Sequence, residues 1–167
     1  KNHELRVLAT AGDVQLGGRD WDHRIAEHLA VLFEDVHGSN PLSEPISHRH
    51  FFDVAETLKK ELSVRQQARY VVHHQGQSLE GVFTRSELEE ATADLRYRTR
   101  SRLTRVLEDA GVNWGGIDEV LAVGGSTRMP AVTEMLRSLS GQAVNRSLSP
   151  DTAVAQGAAV HAAICAA

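Results

Sequence analysis

A single cysteine, Cys165, stands among 167 residues, so no internal disulfide can form and a reducing, cytoplasmic setting is the natural expectation. Long apolar runs are also lacking. The Ala-rich stretch from Ala153 to Ala167 is too short for a membrane span and carries Gln156 and His161. No signal peptide opens the chain, because Lys1 to Arg6 is polar, and no methionine stands first, so the chain reads as a piece of a longer protein. Charge of one sign is missing too: 18 Lys and Arg against 22 Asp and Glu leave a formal charge of -4, which gives no electrostatic case for nucleic acid. There is no Gly-x-Gly-x-x-Gly and no Gly-Lys-Ser/Thr loop, which excludes Rossmann and P-loop phosphate sites.

What is present is ordinary for a soluble globular domain, with 41% hydrophobic and 24% charged residues. A chain of this length buries roughly two-thirds of its unfolded surface, so one core is expected. Leu5 to Thr10 reads as a strand running into a turn at Gly12. Trp21, Ile25, Leu29, Leu32, Phe33 and Val36 recur at helical spacing and predict a helix from Asp20 to near Gly38. Phe51, Phe52, Ala55, Leu58 and Leu62 predict a second, from about His48 to Leu62. Residues 67–74 and 79–83 form a predicted hairpin around Gln75-Gly76-Gln77-Ser78. Thr84-Arg85-Ser86-Glu87 is a capping box that should open one long helix ending at Gly111, with a continuous apolar face from Leu88 to Ala110. Glu119 to Val123 reads as a buried strand feeding Gly124-Gly125, followed by a helix from about Arg128 with Pro130 in its first turn. Gln142 to Asn145 reads as a short strand, and a final helix begins at Ser149-Pro150-Asp151 with Ser149 as its cap. The fold class is α/β.

Three loops pass through small residues into a helix N-terminus: Leu16 to Asp20, Val123 to Arg128 and Ser149 to Asp151. Such ends present unpaired amides and the positive end of a helix dipole, which suits a phosphate or a nucleotide. Taken singly, about half of Gly-Gly pairs are plain turns or caps. Glu56, Lys59, Lys60 and Ser63 fall at i, i+3, i+4 and i+7, one face of the second helix that could hold a ribose or base. On spacing alone a solvated stripe with a Glu-Lys pair is the commoner meaning. His48, His50, His73 and His74 diverge within each element and read as solvated, not as metal ligands. The arginines from Arg96 to Arg105 spread around their helix, behind an acidic first turn. Cys165 reads as buried and inert.

Four strings in order resemble successive signatures of the DnaK-type, 70-kDa heat-shock chaperone family and its ATPase domain. They are residues 10–22 (TAGDVQLGGRDWD), 56–63 (ETLKKELS), 123–130 (VGGSTRMP) and 149–159 (SPDTAVAQGAA). The resemblance covers nearly the whole chain, and Gly-Gly-Ser-Thr-Arg-Met-Pro is its most specific part. It implies most of the second lobe of an actin-like (RNase H-like) ATPase domain, with the lobe's first strands missing. Within it, about 20–111 would include an inserted helix-hairpin-helix subdomain and about 112–167 the strand-helix part.

By resemblance Glu56, Lys59 and Ser63 would meet the ribose or base edge, Lys60 and Arg128 would flank the adenine, and Gly124, Gly125 and Ser126 would form the loop beneath the nucleotide. Gly18 would sit near the phosphates and Asp151 near the nucleotide or the water shell of its metal. The implied cofactor is ATP or ADP, with Mg in the intact parent domain, and no catalytic or metal-ligating residue is assigned to this chain. The parent would be an ATP hydrolase, and this piece alone inactive. Implied partners are a J-domain co-chaperone, a nucleotide exchange factor and unfolded polypeptide clients, with no nucleic acid and no membrane. Without the missing strands the piece is expected to close the gap with residues 5–10 or to self-associate. Arg19 stands where the family usually has an acidic residue, and the hairpin from Arg69 to Phe83 is compact for the family. The competing readings are an actin-like nucleotide-binding scaffold or assembly module that handles no polypeptide client, and a sugar kinase, which would not predict the Glu56 to Ser63 face.

Overall fold

A computed structural model describes residues 6–165, which divide into two compact units, one of residues 14–98 and one of the described residues up to Asp13 together with Thr99 onward. In the first unit, α1 (Gly18–His37) buries Trp21, Ile25, Leu29 and Phe33 with Ala26 and Ala30 and ends where Gly38 turns left-handed at φ 72°. The predicted face is present, except that Val36 is exposed. Helix α2 (Pro45–Leu62) starts three residues before the expected His48, because Pro45 stands in the first turn, where its missing amide costs nothing. It buries Phe51, Ala55, Leu58 and Leu62 against α1.

Strands β1 (Gln67–His74) and β2 (Gln77–Thr84) form an antiparallel hairpin whose register runs from Gln67 opposite Thr84 to His74 opposite Gln77. Its loop is two residues, shorter than expected, because Gln75 and Gly76 both take positive φ, 49° and 78°, the turn whose twist matches the strands. Alternation along β1 turns Ala68, Tyr70, Val72 and His74 inward onto α2, where they complete the core with Phe83 and Leu88.

The expected single helix from Thr84 to Gly111 is two: α3 (Arg85–Ala91) and α4 (Ala93–Ala110), parted at Thr92. The buried Thr92 hydroxyl donates to the Leu88 carbonyl at 2.7 Å, the back-bonding that bends helices. Its apolar face is not continuously buried either, since Leu95 is the one fully buried residue of α4.

The second unit is sparsely packed. Residues 6–10 belong to no strand, contrary to expectation, and Val7 and Leu8 are exposed; Leu5 lies outside the described residues. Strand β3 is only Val120–Leu121, pairing in parallel with β4 (Val144–Asn145). A 3-10 turn, Gly125–Arg128, precedes α5 (Pro130–Ser140). Helix α6 (Ala153–Cys165) begins four residues after Ser149, which reaches it through its backbone: the Ser149 carbonyl accepts the Ala153 N–H at 3.0 Å. No residue of α6 is buried, so Cys165 is exposed rather than buried, with His161 Nε2 3.7 Å from its sulfur.

Candidate functional site

In the unit of residues 14–98 the last turns of α2 bring one candidate group beside the start of α1. Gly18 opens α1 after Gly17, whose N–H donates to the Asp20 carboxylate at 2.6 Å. Lys59 crosses from α2 and donates from Nζ to the Gly18 carbonyl at 2.8 Å and to Asp22 Oδ2 at 2.8 Å, with Oδ1 at 2.6 Å. Donor geometry is satisfied at Oδ2 only, so Oδ1 is held by charge alone. Asp22 is almost wholly buried: burial raises its carboxyl above the ordinary carboxylate value, and Lys59 opposes that rise. Lys59 is therefore committed inside the protein.

One step round α2, Lys60 pairs with Glu56 at 2.8 Å, both exposed. The Lys60 ammonium beside it holds the Glu56 carboxyl below its ordinary value. Ser63 caps α2 and donates from Oγ to the Lys59 carbonyl at 2.9 Å. Arg85 closes the same helix end, donating to the carbonyls of Leu62 and Arg65 at 2.8 and 2.7 Å, a cation placed at the negative pole. Of the four predicted positions, Glu56 and Lys60 thus face solvent as a pair, while Lys59 and Ser63 are engaged with the protein.

In the second unit the loop after β3 meets the segment before α6. Gly124 has φ 84°, which favours glycine, and its N–H donates to the Pro150 carbonyl at 2.9 Å. Thr127 Oγ donates back to the Gly124 carbonyl at 2.7 Å, and the Met129 N–H to the Ser126 carbonyl at 3.2 Å, which tightens Gly125–Arg128 into its 3-10 turn. Arg128 then pairs with Asp151 at 2.5 Å, both side chains more than half exposed. Gly124, Gly125, Ser126, Arg128 and Asp151 are thereby brought together. Gly125 needs neither positive φ nor close packing, since an added Cβ would meet nothing within 4 Å.

Sequence reasoning missed three groups. Asp22, 37 positions from Lys59, gave no local signal beyond an acid in an apolar stripe. His74, read as solvated, is buried by strand alternation and bonded through Nδ1 to Ser47 Oγ at 2.8 Å. His50 and His73, from α2 and β1, stack on one another.

Comparison with known proteins shows a match to the family model described as Hsp70 protein over residues 1–167. The chain is similar to chaperone protein DnaK of Halobacterium salinarum, 40% identical over 95% of this chain and 26% of the relative. It is 38% identical to DnaK of Mycoplasmopsis agalactiae and to the stromal 70 kDa heat shock-related protein, chloroplastic, of Spinacia oleracea, in each case over 97% of this chain and 28% of the relative. The chain thus spans about a quarter of the length of these relatives.

Proposed function

The chain belongs to the Hsp70 family, and on that premise we propose that it carries the adenosine-binding residues of a chaperone's nucleotide-binding ATPase domain, as part of that domain's actin-like second lobe. About 20–111 then include the inserted subdomain and about 112–167 the strand-helix part. The observation that supports this most is the meeting of Gly124 to Arg128 with Pro150 and Asp151, since two separate strings of the sequence combine bare backbone with an oriented guanidinium. Gly125 has no reason within the chain to lack a side chain, which fits a ligand lying on that backbone. Asp151 holds the Arg128 guanidinium plane, and a planar cation stacks on an aromatic base.

On α2, Glu56, Lys60 and Ser63 are the polar groups that the same reading gives to the ribose or base, with Lys59 setting the position of Gly18. In this reading the ligand is ATP or ADP. Mg enters with the phosphates in the parent protein. Hydrolysis, co-chaperones, exchange factors, polypeptide clients and a cytoplasmic setting belong to the longer protein, and this chain alone binds without turnover. Arg128→Ala is expected to weaken ADP binding by about 1 kcal/mol through loss of the stacked cation, with thermal stability unchanged, because the Asp151 pair is exposed. Calorimetric titration and a melting curve on the same variant check this. Unchanged ADP affinity, or unfolding of the variant, contradicts it.

A further inference from the structure

All nine histidines of the chain except His3 and His161 fall within residues 14–98. Two of them meet face to face. The ring of His50, on α2, stacks on that of His73, on β1, with centroids 5.5 Å apart and planes 25° from parallel. His50 Nε2 is buried with no hydrogen-bond partner. As neutral rings the two pack as ordinary aromatics; as imidazolium ions they are like charges, and a proton on His50 Nε2 would have no acceptor.

The surrounding groups give little relief. On α2, Asp53 is the acid one turn from His50, and Arg49 already holds it at 2.9 Å. On β2, the residues opposite His73 and His74 are Ser78 and Gln77, neither charged, and from α1 the His37 Nε2 lies 3.2 Å from the Ser78 carbonyl, turned to the backbone and not to the stacked rings. Before α2, Glu44 Oε2 lies 3.3 Å from Nδ1 of the adjacent His74, whose other partner is Ser47. His74 thus has two polar partners, whereas the acid nearest His50 on α2 is already shared with Arg49. A cavity of about 450 Å³ beside Glu44, Ser47 and the three rings leaves room for a ring to swing and water to enter.

We propose that His50 and His73 form a proton-operated latch, which holds the His73 side of the hairpin on α2 while both rings are neutral and releases it when acid charges them. The sign follows from the ring environment. Burial first, and then the neighbouring His73, push the His50 imidazolium below its ordinary value of 6.5. A base depressed in the folded state leaves stability intact above the ordinary value and withdraws it as pH falls from there through the depressed value. His74 with Glu44 keeps the end of β1 on the core, so acid opens the turn rather than the unit.

The test is amide exchange on the whole chain near pH 7.5 and near pH 5, expressed as protection factors, with imidazole titration followed by NMR. Amides of residues 73–78 should lose protection severalfold on acidification, while those of α1 hold theirs. In His73→Gln the loss should shrink, because burial of His50 remains while the second ring is gone, and His50 should titrate at a higher pH than in the parent chain. An unchanged protection factor in the parent chain overturns the latch, as does the same acid response in His73→Gln. If that variant does not fold, the titration of His50 in the parent chain decides: a midpoint at or above the ordinary value overturns the proposal, and one below it supports it.

Discussion

Lys59 satisfies the Gly18 carbonyl and the Asp22 carboxylate at once, from a position where its own side chain is mostly buried. Removing it leaves Asp22 buried without its cation, and breaking such a pair costs about 3 kcal/mol. Lys59→Ala should therefore lower stability in urea denaturation by about that amount. The pH dependence has a definite sign. Burial raises the Asp22 carboxyl, Lys59 lowers it, and without Lys59 the rise is larger. A raised acid gives stability that is complete below its ordinary value of 3.8 and lost as pH rises through the folded value. The gap between the variant and the parent chain should consequently shrink on acidification toward pH 3.8. A variant as stable as the parent at neutral pH, with nucleotide binding abolished, would instead make Lys59 a ligand and nothing more.

At the scale of elements, the hairpin passes into α3 through a cap both halves of which involve side chains, as written in the sequence. Thr84 Oγ accepts the Glu87 N–H at 3.2 Å, and the Glu87 carboxylate accepts the Thr84 N–H at 2.7 Å and its hydroxyl at 2.6 Å. Thr84→Ala should cost about 1 kcal/mol in thermal unfolding. The Thr84 hydroxyl and amide hold the Glu87 carboxyl below its ordinary value. The carboxylate half of the cap is therefore present above the ordinary carboxylate range and is lost as pH falls through the depressed value, so acid should narrow the variant's deficit. A deficit that grows in acid contradicts the cap.

This box was legible because its partners lie three positions apart, as were the stripes of α1 and α2, whose period alone picks out Ile25, Leu29, Phe51 and Leu58. What local pattern did not reveal depends on partners far along the chain or on a competing bond. The Thr92 hydroxyl breaks a helix whose apolar spacing continues through it. Lys59 finds Asp22, and His50 finds His73, only after α1, α2 and the hairpin have packed. Residues 6–10 have the composition of a strand but, among the described residues, no neighbouring strand to bond, and a backbone with no ladder to join does not become a strand. The candidate site was legible as motifs, not as geometry: nothing in residues 149–151 says that Pro150 will accept the Gly124 amide or that Asp151 will hold Arg128.

Across the whole molecule, burial is uneven. The largest fully buried side chains, including Phe33, Phe51, Phe83 and Leu95, belong to residues 14–98. In the other unit the buried hydrophobic residues, among those described, are Ala122, Met129 and Val132. Val154, Val160 and Ile164 of α6 are exposed. The most specific of the four strings thus sits on the lightly packed unit, where hydrogen bonds within the loop and to Pro150 and Asp151 fix Gly124 to Arg128. Binding can be present there without turnover, because hydrolysis also requires a positioned water, a metal and phosphate-clamping groups acting together. The most direct test is calorimetric titration of the chain with ADP and, separately, with GDP, alongside an assay for phosphate release from ATP. ADP should bind tighter than GDP by about tenfold, roughly 1.4 kcal/mol, with no steady release of phosphate. Equal affinity for the two nucleotides, or sustained hydrolysis by this chain alone, would contradict that reading.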